Sequence, residues 1–274
     1  MNQILVARAE QAGRSPAEVY DECFVPALFR PWGPVLCDAA NLVPGQRVLD
    51  VACGTGALTV AAADRVAAGG ATGGAVLGLD ANPEMLAVAR RKRPDVEWHE
   101  GRAESLPFAD ASFDAVVSQF GLMFFDDRVA ALREMHRVLR PGGRLAVAVC
   151  DALERSPGYA ALAALLDRLF GKRVGDSFRS PFVLGDATAL HAMCDAAGIA
   201  GARVAQREGT VRFESIDALV STERACVWTL GGLLDDAQFE RLLLEARSAF
   251  RPFVDAGGKV AFSMPALLIT AGKA

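Results

Sequence analysis

The sequence predicts an α/β fold: a doubly wound, mostly parallel sheet with helices on both faces. Two observations carry this. Short apolar runs, RVLDVAC (47–53), AVLGLD (75–80), VEWHEG (96–101), FDAVVSQF (113–120) and RLAVAVC (144–150), alternate with helix-forming stretches. These runs are apolar on both sides, as expected of parallel strands covered on both faces. Composition agrees: 274 residues, 52% hydrophobic and 23% charged, describe a chain that buries a large core and exclude a disordered one.

Each element has a local reason. Ser15-Pro16 reads as a helix cap followed by proline at the first helical position, and Tyr20, Phe24 and Leu28 share one face at a spacing of four. A second short helix is expected over Val35 to Leu42, then a turn at Pro44-Gly45. The strand at 47–53 ends in a glycine turn that opens an Ala-rich helix to about Ala68, and GGATGG follows as a loop. Helices are predicted over Pro83 to Arg91 and Asp126 to Leu139, the latter ended by Pro141-Gly142-Gly143. Beyond Cys150 the alternation weakens. Helices are expected at 157–171, Ala187 to Ala197 (capped by Gly198), 215–230 and 235–250. Residues 178–186 read as loop and 202–213 as extended. A closing strand covers 259–274, with Pro265 at an edge or bulge.

Charge and cysteine usage exclude several classes. Lys plus Arg is 29 and Asp plus Glu is 33, for a net charge of −4 and no basic block, so a nucleic-acid partner is not expected. The six cysteines form no C-x-x-C pair, which points to buried thiols in a reducing compartment. His99, His136 and His191 lie too far apart for a local metal motif, so no metal is expected. No apolar run approaches the ~18 residues of a membrane span, and ILVA near the N-terminus is too short for a signal-peptide core. A cytoplasmic location is the default.

The chemistry centres on Val48-Leu49-Asp50-Val51-Ala52-Cys53-Gly54-Thr55-Gly56. A glycine turn between strand and helix lets backbone approach a ligand, although G-x-G alone also fits an ordinary turn. A dinucleotide fingerprint would need a third small residue where this chain has Thr59. Asp50, inside the strand end, can orient a ligand amine. Both points favour a positively charged ligand over a pyrophosphate. Asp80 ends the second strand, where an acidic residue can accept from ribose hydroxyls or cap the helix at Pro83.

VLDVACGTG, GLDANPEML, GRAESLPFADASFDAVVSQFGLMFF and REMHRVLRPGGRLAVAV, in this order, resemble the class I S-adenosylmethionine-dependent methyltransferases. Within them the chain is most similar to the ubiquinone/menaquinone-biosynthesis branch (methyltransferase type 11). The resemblance is close from about Tyr20 to Cys150 and loose beyond. It implies a Rossmann-like seven-stranded sheet with an N-terminal helical segment and a helical lid in the C-terminal half. The expected organisation is a helical cap at 1–44, a cofactor-binding core at 45–150, and lid helices plus the last strands at 151–274, as one structural domain overall.

The resemblance also implies roles. The loop from Ala52 through Cys53 and Gly54 to Gly56 would lie against the methionine part of S-adenosyl-L-methionine, with Asp50 near its amino group. Asp80 would hold the ribose hydroxyls, and Asn82 and Met85 would flank ribose and adenine. Arg102 and Ala103 fall where the family touches adenine; many relatives have Asp where this chain has Arg102. Ser118, Gln119 and Phe120 would face the sulfonium, and Tyr20 and Phe24 could close the pocket, or simply pack in the core. Trp32, Arg224 and Trp228, with Phe178 and Phe182, are the side chains to watch for the acceptor. No base is evident, His191 being the weak candidate. The expected function is methyl transfer to an O, N or C atom of a small aromatic or heterocyclic molecule, with a homodimer left open. Two alternatives are a cofactor-binding protein that does not methylate and an NAD(P)-dependent oxidoreductase.

Overall fold

The computed structural model describes residues 14–68, 73–226 and 229–274. Trp228 therefore lies outside the described residues, as do ILVA and part of the GGATGG loop. The chain divides into two compact units. A sheet unit comprises residues 29–149, 186–207 and 266–274, and a helical unit takes the described residues up to Leu28, 150–185 and 208–265.

The sheet unit holds seven strands in the order β3-β2-β1-β4-β5-β9-β6. They are β1 (Arg47–Val51), β2 (Ala75–Asp80), β3 (Glu97–Glu100), β4 (Phe113–Gln119), β5 (Leu139–Cys150), β6 (Arg203–Arg207) and β9 (Ala266–Gly272). β1 to β5 run parallel, and β6 pairs antiparallel with β9. The central strands are buried along their length: Val48, Leu49, Val51, Val116 and Val117 are fully enclosed, because helices cover both faces. After β3 the chain returns to the other side of β1 and adds β4, so strand order reverses at the β1/β4 pair. In doubly wound sheets such a switch opens a crevice at the carboxyl ends of the strands.

The helices begin where the sequence signals them. Ser15 and Glu18 form a reciprocal capping box at Pro16–Val19. Asn82 caps Pro83–Lys92, accepting from the N–H groups of Glu84 and Met85. Asp127 caps Arg128–Val138. The first helix does not continue as α: Tyr20–Phe29 is a wide π-helix containing Pro26, whose missing N–H removes a regular bond. Phe24 and Leu28 are buried along it and Tyr20 is half-buried. The second helix starts earlier than expected, at Trp32, and runs to Ala39.

Three expectations are corrected. Pro141-Gly142-Gly143 does not terminate a helix, which ends at Val138. It forms an irregularity inside β5, where the register with β4 jumps from Phe113↔Leu139 to Ala115↔Arg144. Residues 178–186 are not all loop, since the helix Lys172–Arg179 reaches into them. The closing strand is two strands, β8 (Val260–Ser263) and β9, with Pro265 between them. β8 pairs with β7 (Thr210–Phe213) in a separate two-stranded sheet of the helical unit. That unit is otherwise built from helices Pro157–Phe170, Lys172–Arg179, Ile216–Ala225 and Asp236–Ala249. The Tyr159 ring packs on Phe178, Phe182 and Phe262 at centroid distances of 5.8, 5.8 and 5.0 Å.

The C-terminal segment closes the sheet unit with a charge. Lys273 Nζ donates to the carbonyls of His136, Arg137 and Leu139 at 2.9, 3.0 and 2.8 Å, satisfying the end of the helix Arg128–Val138. A cation here also complements the helix dipole. Lys273→Met should lower stability by about 2 kcal/mol, within the range for hydrogen bonds to a charged donor. A urea-denaturation midpoint equal to wild type would show that these bonds contribute nothing.

Candidate functional site

The carboxyl ends of β1, β2 and β4 bring most of the motif residues together. Asp80 lies at the centre of the turn: its carboxylate accepts from the Gly54 N–H at 2.7 Å and the Asn82 N–H at 2.8 Å. The Cys53 N–H donates to the Leu79 carbonyl at 3.0 Å. The glycine turn is thus tied to the end of β2 at two points. Burial raises the Asp80 pKa, and these backbone donors oppose the rise. The cap of the next helix is Asn82 and not Asp80.

Backbone strain occurs at the same place, where two of the four left-handed non-glycine residues among the described residues fall. Ala52 and Phe120, just past β1 and β4, are both left-handed, with φ of 59° and 55°. Such residues cost on the order of 1–3 kcal/mol each and gather at functional sites. Gly121 permits the close approach of the two strand ends, since a Cβ there would stand 2.6 Å from Ala52 Cβ. Gly56 is left-handed at φ 87°, and a Cβ on it would meet the Trp98 ring at 2.7 Å. This corrects the expected reason for that glycine: the space is filled by Trp98 of β3. Lys92 holds the loop as well, donating to the Thr55 carbonyl at 3.0 Å.

Asp50 is fully buried. Its Oδ2 accepts from the Thr59 hydroxyl at 2.6 Å. Desolvation, with the nearby Asp80 charge adding to it, pushes its pKa up to about 7 against the pull of Thr59. Among the described residues Asp50 Oδ1, Thr55 Oγ1, Ser118 Oγ and Gln119 Oε1 are buried without a partner. Gln119 is held through its other amide atom, Nε2, which donates to the Phe29 carbonyl at 3.0 Å. Phe120 packs against Trp32, edge to face, at 5.5 Å.

Other expected residues stand apart. Met85 and Ala103 are buried. The Arg102 side chain is exposed and pairs with Asp126 at 2.6 Å and Glu104 at 3.3 Å, so its charge is taken up at the surface. His191 is corrected: it lies exposed on the helix Ala187–Ala196, which packs against edge strand β6. β5 and β9 separate that edge from β4. Arg224 is paired with Asp236 and lies over the Phe239 ring at 4.3 Å. Tyr20 packs on Phe24 at 5.9 Å.

Sequence reasoning missed Glu223, the chain neighbour of Arg224. In the helical unit it turns inward and accepts from the Thr229 hydroxyl at 3.0 Å and from the Tyr159 hydroxyl. Burial raises its pKa to about 7.

The donor set can be matched to a ligand. Two carboxylates at the switch point make no ion pair among the described residues, and buried acceptors beside them lack donors. A pyrophosphate would be repelled there. A ligand carrying an ammonium, a sulfonium and ribose hydroxyls supplies what is missing, so these residues fit S-adenosylmethionine.

Comparison with known proteins agrees. Residues 49–147 match the family model of a methyltransferase domain. A demethylmenaquinone methyltransferase of Renibacterium salmoninarum is 48% identical over 119 residues, covering 43% of this chain and 47% of that protein. One of Beutenbergia cavernae is 46% identical over 136 residues, 50% of this chain and 52% of that protein. The chain thus spans about half the length of the curated relatives it matches. The YcgJ protein of Bacillus subtilis shares the fold, with a TM-score of 0.59 at 23% identity over 88% of this chain and 97% of that one. The fold and the glycine turn agree with the family match, which makes residues 49–147 similar to a methyltransferase domain. Over about half of its length the chain is similar to demethylmenaquinone methyltransferases.

The Glu223 arrangement makes stability depend on pH. Folded, Glu223 holds its proton up to about pH 7; unfolded, only to its ordinary value of 4.5. Its contribution is therefore complete below about pH 4.5 and is lost as pH rises to about 7. Glu223→Gln should flatten the fall in urea midpoint between about pH 5 and pH 8. Parallel curves for variant and wild type would mean that Glu223 titrates as an ordinary carboxyl.

Proposed function

We propose that this protein transfers the methyl group of S-adenosyl-L-methionine to an O, N or C atom of a small aromatic or heterocyclic acceptor in the cytoplasm. The observation that carries this is the glycine turn with Asp80 and with Asp50, whose Oδ1 has no partner among the described residues, at the switch point inside a matched methyltransferase domain. The relatives named for demethylmenaquinone make a quinol ring the first acceptor to test.

When bound, the cofactor supplies a methyl group on a sulfonium, already activated for in-line displacement. The residues of this chain then mainly bind and orient. Asp50 and the loop from Ala52 to Gly56 hold the amino-acid part, and Asp80 accepts the ribose hydroxyls. Met85 and Ala103 bound the adenine side, and Ser118 and Gln119 face the reacting end. Orientation of this kind is worth up to ~7–11 kcal/mol in the limit, and a dry site prevents loss to water. The N-terminal helix and residues 151–185 and 210–260, outside the matched domain, are the segments assigned to acceptor recognition.

Asp80 gives the sharpest test. Calorimetric titration should show binding of S-adenosylhomocysteine and none of NAD. Asp80→Ala should weaken that binding at least about tenfold, since one hydrogen bond to a charged acceptor is worth ~1.5–3 kcal/mol. With a panel of phenols, amines and quinols, mass spectrometry should find one methylated product. Tight NAD binding without a response to S-adenosylhomocysteine would falsify the proposal.

A further inference from the structure

Among the described residues of the sheet unit, Asp50 is the carboxylate with a buried oxygen that lacks a partner. It is fully buried, its Oδ1 has no partner among the described residues, and no cation stabilises its charge. Asp80 differs, since both of its carboxylate oxygens receive backbone N–H groups. The other buried unpartnered acceptors here, on Thr55, Ser118 and Gln119, are uncharged. Buried polar atoms are nearly always satisfied, and charged ones are the costliest to leave bare. An incoming donor is therefore expected at Asp50 Oδ1, and the positive one on this cofactor's methionine part is its ammonium.

Thr59 decides which oxygen is left open. It stands in the first turn of the helix Ala57–Val66, where a threonine hydroxyl ordinarily turns back to a carbonyl three or four residues earlier. Here the hydroxyl donates to Asp50 Oδ2 at 2.6 Å, and the Thr59 backbone N–H also favours the charged carboxylate. The carboxylate is thus held from the helix side.

We propose that Thr59 is a positioning residue for cofactor binding: its hydroxyl fixes the Asp50 carboxylate so that Oδ1 faces the α-amino group of the ligand. This rests on the S-adenosylmethionine reading above. It makes Thr59 a determinant of amine recognition, beyond its place in helix packing.

The test compares S-adenosylhomocysteine with the analogue lacking only its α-amino group, by calorimetry. Wild type should prefer the amino ligand by about tenfold or more, as expected for one charge-assisted bond. Thr59→Val keeps the side-chain shape and removes the hydroxyl; it should erase most of that preference, and Thr59→Ser should retain it. Thr59→Ala replaces the valine variant if that protein does not fold. Equal weakening of both ligands, or an unchanged preference in the hydroxyl-free variant, would overturn the positioning role while leaving the cofactor reading intact. A wild type with no preference would also overturn it. A wild type that binds neither ligand would sink the cofactor reading together with it.

Discussion

Two carboxylates at the ends of adjacent parallel strands, without a cation beside them, are the constraint around which the sheet unit is arranged. Removing such charges from water is unfavourable unless hydrogen bonds replace the lost hydration. Asp80 obtains replacements from the backbone of Gly54 and Asn82, and in doing so fixes the turn. Asp50 obtains fewer, and its raised pKa expresses the deficit. The strained φ values at Ala52 and Phe120 fall at the same strand ends, just past β1 and β4.

The core strands were legible because burial on both faces leaves an unmistakable signature in sequence: successive apolar residues bounded by turns. The cap at Ser15 was legible locally, whereas the one before Pro83 is Asn82 and not the Asp80 that the sequence offered. What failed was non-local. Pro141-Gly142-Gly143 reads as a helix stop, yet its course is set by pairing with the far C-terminus, where the Gly142 N–H donates to the Lys273 carbonyl at 2.8 Å. The single closing strand became two because β8 and β9 pair with different partners in different units. Propensity carries no information about either contact.

The candidate site shows the same division. Asp50, Gly54 and Asp80 are visible from spacing along one strand-turn-helix segment and the next strand. Trp98 is not, because its reason is steric: its ring occupies the space that Gly56 and Gly78 leave open from a strand further along the sheet. Glu223 was hidden by its neighbour. In sequence Glu223-Arg224 suggests a pair, but adjacent helical residues point in different directions, so Arg224 meets Asp236 while Glu223 faces the aromatic interior of the helical unit. There burial, with no cation acting on it among the described residues, favours the protonated form, while the Thr229 and Tyr159 hydroxyls pull the other way.

Thr59 links these levels. Read as a departure from a dinucleotide fingerprint, it is only a missing small residue. In the structure it is the reason that the fingerprint's chemistry is absent. A dinucleotide fold leaves the helix N-terminus open so that its N–H groups and positive dipole end receive a pyrophosphate. In this chain the first turn of the equivalent helix is turned on Asp50 instead, through both the hydroxyl and the N–H of Thr59. The first turn of the helix is thereby tied to a carboxylate of the chain itself. A pyrophosphate would have to compete with that carboxylate for the same first turn, so the glycine turn of this chain is poorly matched to an anion.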